Sequence, residues 1–422
     1  MSTRRLPVRP DSEQLKHQAK DLLRAIRAGD AAAIEEFRAH HPNPPSPADA
    51  RLADAQLALA RSYQAPSWPR LMEACRLVDA IWHDDLEKVR ELVTRNPRLL
   101  TEPVLIRESN WGPPLSYAAN LGRDRLLTLL HQLGARDLAP AIDRAALQGQ
   151  ASTVRLIHDM MGRPPLPDGA LGGSAYTLNV TGTELLLELG ARVVDERGGR
   201  LAPVDVVLET DSRKPAAKHR ILELYVERGV ELPDTAPMAV HRGRIDLLES
   251  HLRRDPGLLT RTFAFDEIYP AALGCHDEVL ATHGTPLGGA TLLHLCIDYD
   301  ELEMARWLLD RGMNPDARAA VDADGFGGHT ALFATVVSQP AFWMNYGHRP
   351  LDPTAAEMLL ARGADPNARA SLRKQLHPGY GPDTLHEYRD VTPVGWGERF
   401  HHRSFVNGAA LDRIRRAGGL SS

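Results

Sequence analysis

Apolar residues recur along the chain at helical rather than strand spacing. Behind Ser12, a plausible helix cap, Leu15, Ala19, Leu22, Leu23 and Ile26 keep the three-to-four period of an amphipathic helix. Gly29 breaks the run, and Ile34 and Phe37 resume it until His41-Pro42. The same alternation appears at 112–135, GPPLSYAANLGRDRLLTLLHQLGA. Pro114-Leu115 opens a short helix, Gly122 reverses the chain, Leu126, Leu127, Leu129 and Leu130 form the apolar face of a second, and Gly134 ends it. The predicted element is therefore a helical hairpin.

The hairpin repeats. Setting Gly29 on Gly122 puts Ala25-Ile26 on Ala118-Ala119. PAIDRAALQG (140–149) puts Ala145-Ala146 on the same pair and Gly149 on the turn. Asp84 stands at the turn of another copy, where Asp tolerates left-handed backbone better than most residues. A terminator, NPRLL (96–100), recurs as DPGLL (255–259) after MAVHRGRIDLLESHL. Further copies end in TELLLELGA (183–191) and ILELYVERG (221–229). TLLHLCIDYDELEMARWLLDRG (291–312) places Cys296 on the first small residue and Asp300 at the turn.

These strings resemble the ankyrin repeat, whose pattern is T-P-L-H-x-A-A-x-x-G, a Leu-rich helix, then G-A. Pro113 replaces its Thr and Ser116 its His, while His294 stands at the His position and GADPN (363–367) is the most specific ending. LADAQLALARSY and APSWPRL also resemble the N-terminal region of a group of bacterial ankyrin proteins of unassigned activity. The resemblance implies an all-α solenoid of about ten stacked helix-turn-helix units, with long loop insertions in the C-terminal third. It further implies a His294 that ties its helix to neighbouring backbone. It implies a protein–protein scaffold that holds a partner on its concave face and finger loops. The corresponding division is a mobile tail over 1–11, degenerate hairpins over 12–100, repeats over 101–259, an irregular insertion over 260–289, and repeats with insertions over 290–422.

Composition narrows the function. Fifty basic and 55 acidic residues give a net charge of −5, so nothing global favours nucleic acid. No apolar run reaches membrane-spanning length, the first residues lack a signal-peptide core, and the three cysteines suit a reduced, cytoplasmic setting. No Cys-x-x-Cys clip, G-x-S-x-G elbow or H-x-x-x-H pair occurs, so neither cofactor nor metal is expected. Trp68 reads as a staple at a helix start, and GFGG (325–328) as an elongated finger.

The last third departs from this frame. Twelve of the 23 aromatic residues lie in the 124 residues beyond Asp298, together with the longest insertions. Insertions on a solenoid often mark its binding face. The expected ligand or partner contacts there are His329, Trp343, Asn345, Tyr346, His386, Tyr388, Arg389 and His401. Asp298, Asp324, His377 and His402 are further groups that a groove between the last units would gather. The competing function is a small-ligand or catalytic pocket in the last three units. Four stretches break the repeat ruler: 260–289, 321–328, 338–353 and 370–390.

Overall fold

The computed structural model describes residues 4–210, 212–276, 284–338, 352–375 and 384–421. The chain falls into two compact units, Met1–Pro165 and Leu166–Ser422, and the division lies in the proline-rich 163–168 segment. Each is built from the expected hairpins.

One backbone device closes them. At the turn, a residue takes a left-handed φ: Gly29, Asp84, Gly122, Gly149, Leu178, Gly243 and Asp300, with values from 50° to 82°. The next N–H then donates to the carbonyl five residues back, at Ala25, Ala80, Ala118, Ala145, Ser174, Ala239 and Cys296, over 2.8–3.1 Å. This is the long bond of a Schellman-type helix end. Every acceptor is small, because the first helix abuts its neighbours at that level. Gly122 shows how tight the turn is: at φ +66°, an added Cβ would lie 2.5 Å from Gln150 Oε1. Gly122→Ala is expected to cost about 1 kcal/mol or somewhat more, from left-handed strain and displacement of that amide. Thermal melts of the variant check it.

In the first unit, helix Trp68–Trp82 packs on Pro114–Asn120, which packs on Leu138–Gln148. Their partners Leu86–Arg95, Asp124–Gln132 and Ala151–Met160 form a second column. Ahead of them, Ser12–Arg27, Ala31–His40 and Leu52–Ser62 share a core around Leu15, Ile26, Phe37, Leu59 and Leu71. Ser67 caps the Trp68 helix by accepting from the Arg70 amide; Trp68, expected as a staple, is instead the first residue after the cap and packs partly buried against that core. The segment before Ser12, read from its prolines as a mobile tail, lies against the unit. Leu6 is buried, the Arg4 amide donates to the Ser62 carbonyl at 2.9 Å, and Arg4 pairs with Glu36.

In the second unit, the first-helix column runs Ala236–His241, Leu292–Asp298, Ala331–Val336, Pro393–Arg399. The irregular 260–289 stretch contains a single-turn helix, Phe265–Ile268, and a 3-10 turn, Ala271–Leu273. One expectation is corrected here. The fold is not purely helical, because 370–390, read as a long loop, carries strands β1 (Ala370–Lys374) and β2 (His386–Val391), paired antiparallel with a bulge between Ala370 and Leu372. In β1, buried Ala370, Leu372 and Lys374 alternate with half-buried Ser371 and Arg373, the period-two pattern of a half-buried strand.

Candidate functional site

The finger loops of the second unit join edge to edge. The segment 312–330 folds back on itself: Ala319 N–H donates to His329 O and Asp322 N–H to Phe326 O, at 2.9 and 2.8 Å. Gly325, Gly327 and Gly328 take positive φ, which a β-branched residue could not do without strain, so GFGG forms the tip of a finger. That finger is bonded on both sides. Ala320 N–H donates to Gly289 O at 2.8 Å, and Gly327 N–H to Ser371 O at 2.7 Å. Arg318 Nη1 donates to Gly328 O and to Arg369 O.

This arrangement brings three of the four departures from the repeat ruler to one place. A cavity of about 270 Å³ opens between them, lined by Pro286, Gly289, Ala320, Phe326, His329 and Leu372, among others. Val321 stands beside it, 61% exposed. The charges around it are already matched. Arg373 pairs with Asp322, and with Asp324 at 3.0 Å. Arg389 pairs with Glu387 at 3.1 Å. Both guanidinium groups lie over the Phe326 ring, at 4.6 and 4.3 Å from its centre. The Phe326 amide, and Arg373 beside it, hold the Asp322 carboxyl below its usual range.

The expected contact residues fall into two groups. His329 and Arg389 belong to the finger cavity. His386, Tyr388 and His401 form a cluster of their own. Tyr388 Oη accepts from the His401 amide at 3.0 Å and lies 2.6 Å from His401 Nδ1. The His386 ring stacks on His401 at 3.8 Å, and Tyr388 meets Trp396 edge-on at 4.7 Å. Burial, then the neighbouring His386, His402 and Lys374, depress the His401 pKa to about 4. Its imidazole is thus neutral at pH 7. Alternation along β2 explains the partition: Glu387 and Arg389 are exposed beside the finger, whereas Tyr388 is buried against the Pro393–Arg399 helix and Phe400.

Two readings change. His329 is a buried structural residue rather than a solvated loop contact. It is 1% exposed, its Nε2 donates to Pro286 O at 3.0 Å, and burial lowers its pKa to about 3. Asp298, one of the groups placed in a groove, is wholly buried and ion-paired with Arg213 at 2.9 Å. His294 does tie its helix to the neighbouring backbone: its Nδ1 meets Thr291 Oγ1 at 2.8 Å, and its Nε2 donates to His329 O at 3.0 Å. Trp343, Asn345, Tyr346 and His377 lie outside the described residues, while His402 bonds Ser404.

The Asp298 pair opens onto a polar core that the repeat pattern concealed. Lys218, 1% exposed, donates to His241 Nδ1 at 2.7 Å, and its Nζ lies 3.4 Å from the centre of the Tyr299 ring. His241 Nε2 donates to Ile268 O at 3.0 Å, which fixes the neutral tautomer that Lys218 needs. Tyr269 donates to Tyr299 and Tyr299 to Leu208 O, each at 2.5 Å, while His219 meets Glu301 at 2.6 Å. Burial pushes the Lys218 pKa well down. A lysine one helical turn before Leu222 gave no sign of this in sequence, since Lys normally marks a solvated face.

Residues 288–320, which carry the His294 tie, the Asp300 turn and the start of the central finger, match the family model for the ankyrin repeat. This segment is an ankyrin repeat. No curated protein matches the chain. Among solved structures, the crystal structure of the human ASB11 ankyrin repeat domain aligns with 60% of this chain and 99% of that one, at 18% identity and a TM-score of 0.28. Among the described residues, no helix is long and apolar enough to cross a membrane.

Proposed function

We propose that the protein is a binding scaffold whose second unit seizes an apolar side chain of a partner protein in the finger cavity. Ankyrin repeats generally mediate protein–protein interaction. The observation that carries the finer reading is the convergence of 286–289, 320–329 and 372–373 on one cavity beside exposed Val321. Such a cavity is the usual seat of an interface anchor: concave, mostly apolar and ringed by polar groups. The ring is the Asp322–Arg373–Asp324 and Arg389–Glu387 set. These arginines are neutralised within the protein, so the cavity lacks the uncompensated positive charge that nucleic acid would need.

The reading is tested by panning a random-peptide display library on the full chain. Selected peptides should share one large apolar residue. Val321→Asp, which sits on an exposed side chain and leaves the core intact, should weaken them at least tenfold. Peptides that bind Val321→Asp and Phe326→Ala as well as the parent, or a library that yields no binder, would overturn it.

A further inference from the structure

Away from the fingers, three potential metal ligands meet on the second unit. Asp205 and Glu209 stand four residues apart on helix Val204–Glu209, so both carboxylates share one face. Opposite them, the chain leaves the 3-10 turn Ala271–Leu273 through Gly274, at φ +87°, and presents His276. One ligand atom from each of Asp205, Glu209 and His276 lies within 4.8 Å of the others. The backbone holds this arrangement: the His276 amide donates to Glu209 Oε1 at 2.8 Å. His276 Nδ1 lies 3.5 Å from Glu209 Oε2 and 3.2 Å from the Gly274 carbonyl oxygen. A Cβ on Gly274 would lie 3.3 Å from Arg200 Nη2 and 3.4 Å from Asp205 Cγ, so a side chain there would crowd the Asp205 carboxylate.

We propose that Asp205, Glu209 and His276 bind a divalent first-row transition ion of the Mn²⁺-to-Zn²⁺ type, with the Gly274 carbonyl as a further oxygen donor. One imidazole nitrogen among hard oxygens suits that class better than the all-oxygen shell Ca²⁺ or Mg²⁺ prefers. Ligand atoms that share an ion at about 2.1 Å stand roughly 3–4 Å apart, so the set closes with shifts below about 1 Å. Nδ1 now faces the Gly274 and Glu209 oxygens as a donor, so ligation through it takes the other neutral tautomer, with the ring proton on Nε2. Arg200, whose Nη1 donates to Ala272 O at 2.9 Å, brings one positive charge to the rim, and the two carboxylates leave the set net negative. The ion fastens the 270–276 loop to the helix, so its role is independent of the finger cavity.

Isothermal titration of the metal-stripped full chain with Zn²⁺ and Mn²⁺, alongside Co²⁺ absorption, tests the site. One saturable site is expected, with a Tm that rises on loading. His276→Ala alters an exposed side chain and should fold normally; it should weaken binding at least tenfold, as should Asp205→Asn and Glu209→Gln. Absence of saturable binding, or binding unchanged in His276→Ala and Asp205→Asn (an ion taken by other histidines), overturns the proposal.

Discussion

Asp298→Asn is expected to lower the stability of the second unit by about 3–5 kcal/mol, the range for removing one partner of a buried ion pair. The side chains of Arg213 and Asp298 are 2% and 0% exposed. Arg213 Nε also donates to the Asp298 carbonyl, Nη1 donates to Thr210 O, and the guanidinium covers the Tyr299 ring at 4.4 Å. The amide side chain would keep the shape and remove the countercharge. A guanidinium would then remain in the interior beside Lys218. Thermal and urea melts of the variant measure the loss. A drop of roughly 10 °C in Tm fits a domain of this size. The double change Arg213→Met with Asp298→Leu should recover much of it, because an apolar pair leaves no charge uncompensated. A single variant as stable as the parent would show that the pair contributes little.

Acid should destabilise the second unit before its carboxylates titrate. Burial depresses the pKa of His294 to about 4 and that of His329 to about 3. An unfolded chain takes up these protons from about pH 6.5 downward, while the folded unit refuses them. The stabilising contribution is therefore fully present above pH 6.5 and is lost as pH falls toward 4 and below. Each tenfold loss of proton affinity on folding is worth about 1.4 kcal/mol, so the two histidines together amount to several kcal/mol. After burial, repulsion from His294 is a further cause of the His329 depression. Melts from pH 8 to pH 4 should show a Tm that is level at the top and falls steeply below 6.5. His294→Asn should flatten that fall. A level profile down to pH 4.5 would contradict this account.

The hairpins were legible because each rests on local chemistry. A left-handed turn residue, a small residue five positions before the next amide, and an apolar second face lie within one short stretch of chain. Leu178 is the exception: its φ of 50° gave no signal, since leucine rarely marks such a turn. The finger cavity was half legible. Departures from the repeat marked 260–289, 321–328 and 370–390, but the bonds that join them, Ala320 to Gly289 and Gly327 to Ser371, link segments that periodicity cannot align. The strands were missed because β1 and β2 are short and separated, and their alternation, seen alone, resembles a polar loop. His329 was misplaced for a related reason. It stands one residue before the Thr330 cap position, and only the return of Pro286 O onto its ring makes it interior. The polar core was invisible, because Lys218 and Arg213 meet Asp298, His241 and Tyr299 from three different hairpins.

The bonds from Phe263 to Ala290, from Ala320 to Gly289 and from Gly327 to Ser371 have a mechanical consequence. Independent loops would each have to be immobilised when something docks on them, and each would add its own entropic cost. Fingers tied through their main chains are stiff beforehand, so that cost is met during folding. The same ties make the fingers move as one piece: prising Gly327 from Ser371 would loosen the next finger as well. Amide hydrogens of Ala320 and Gly327 should accordingly exchange with solvent together, and far more slowly than their place at the tips of surface loops would suggest.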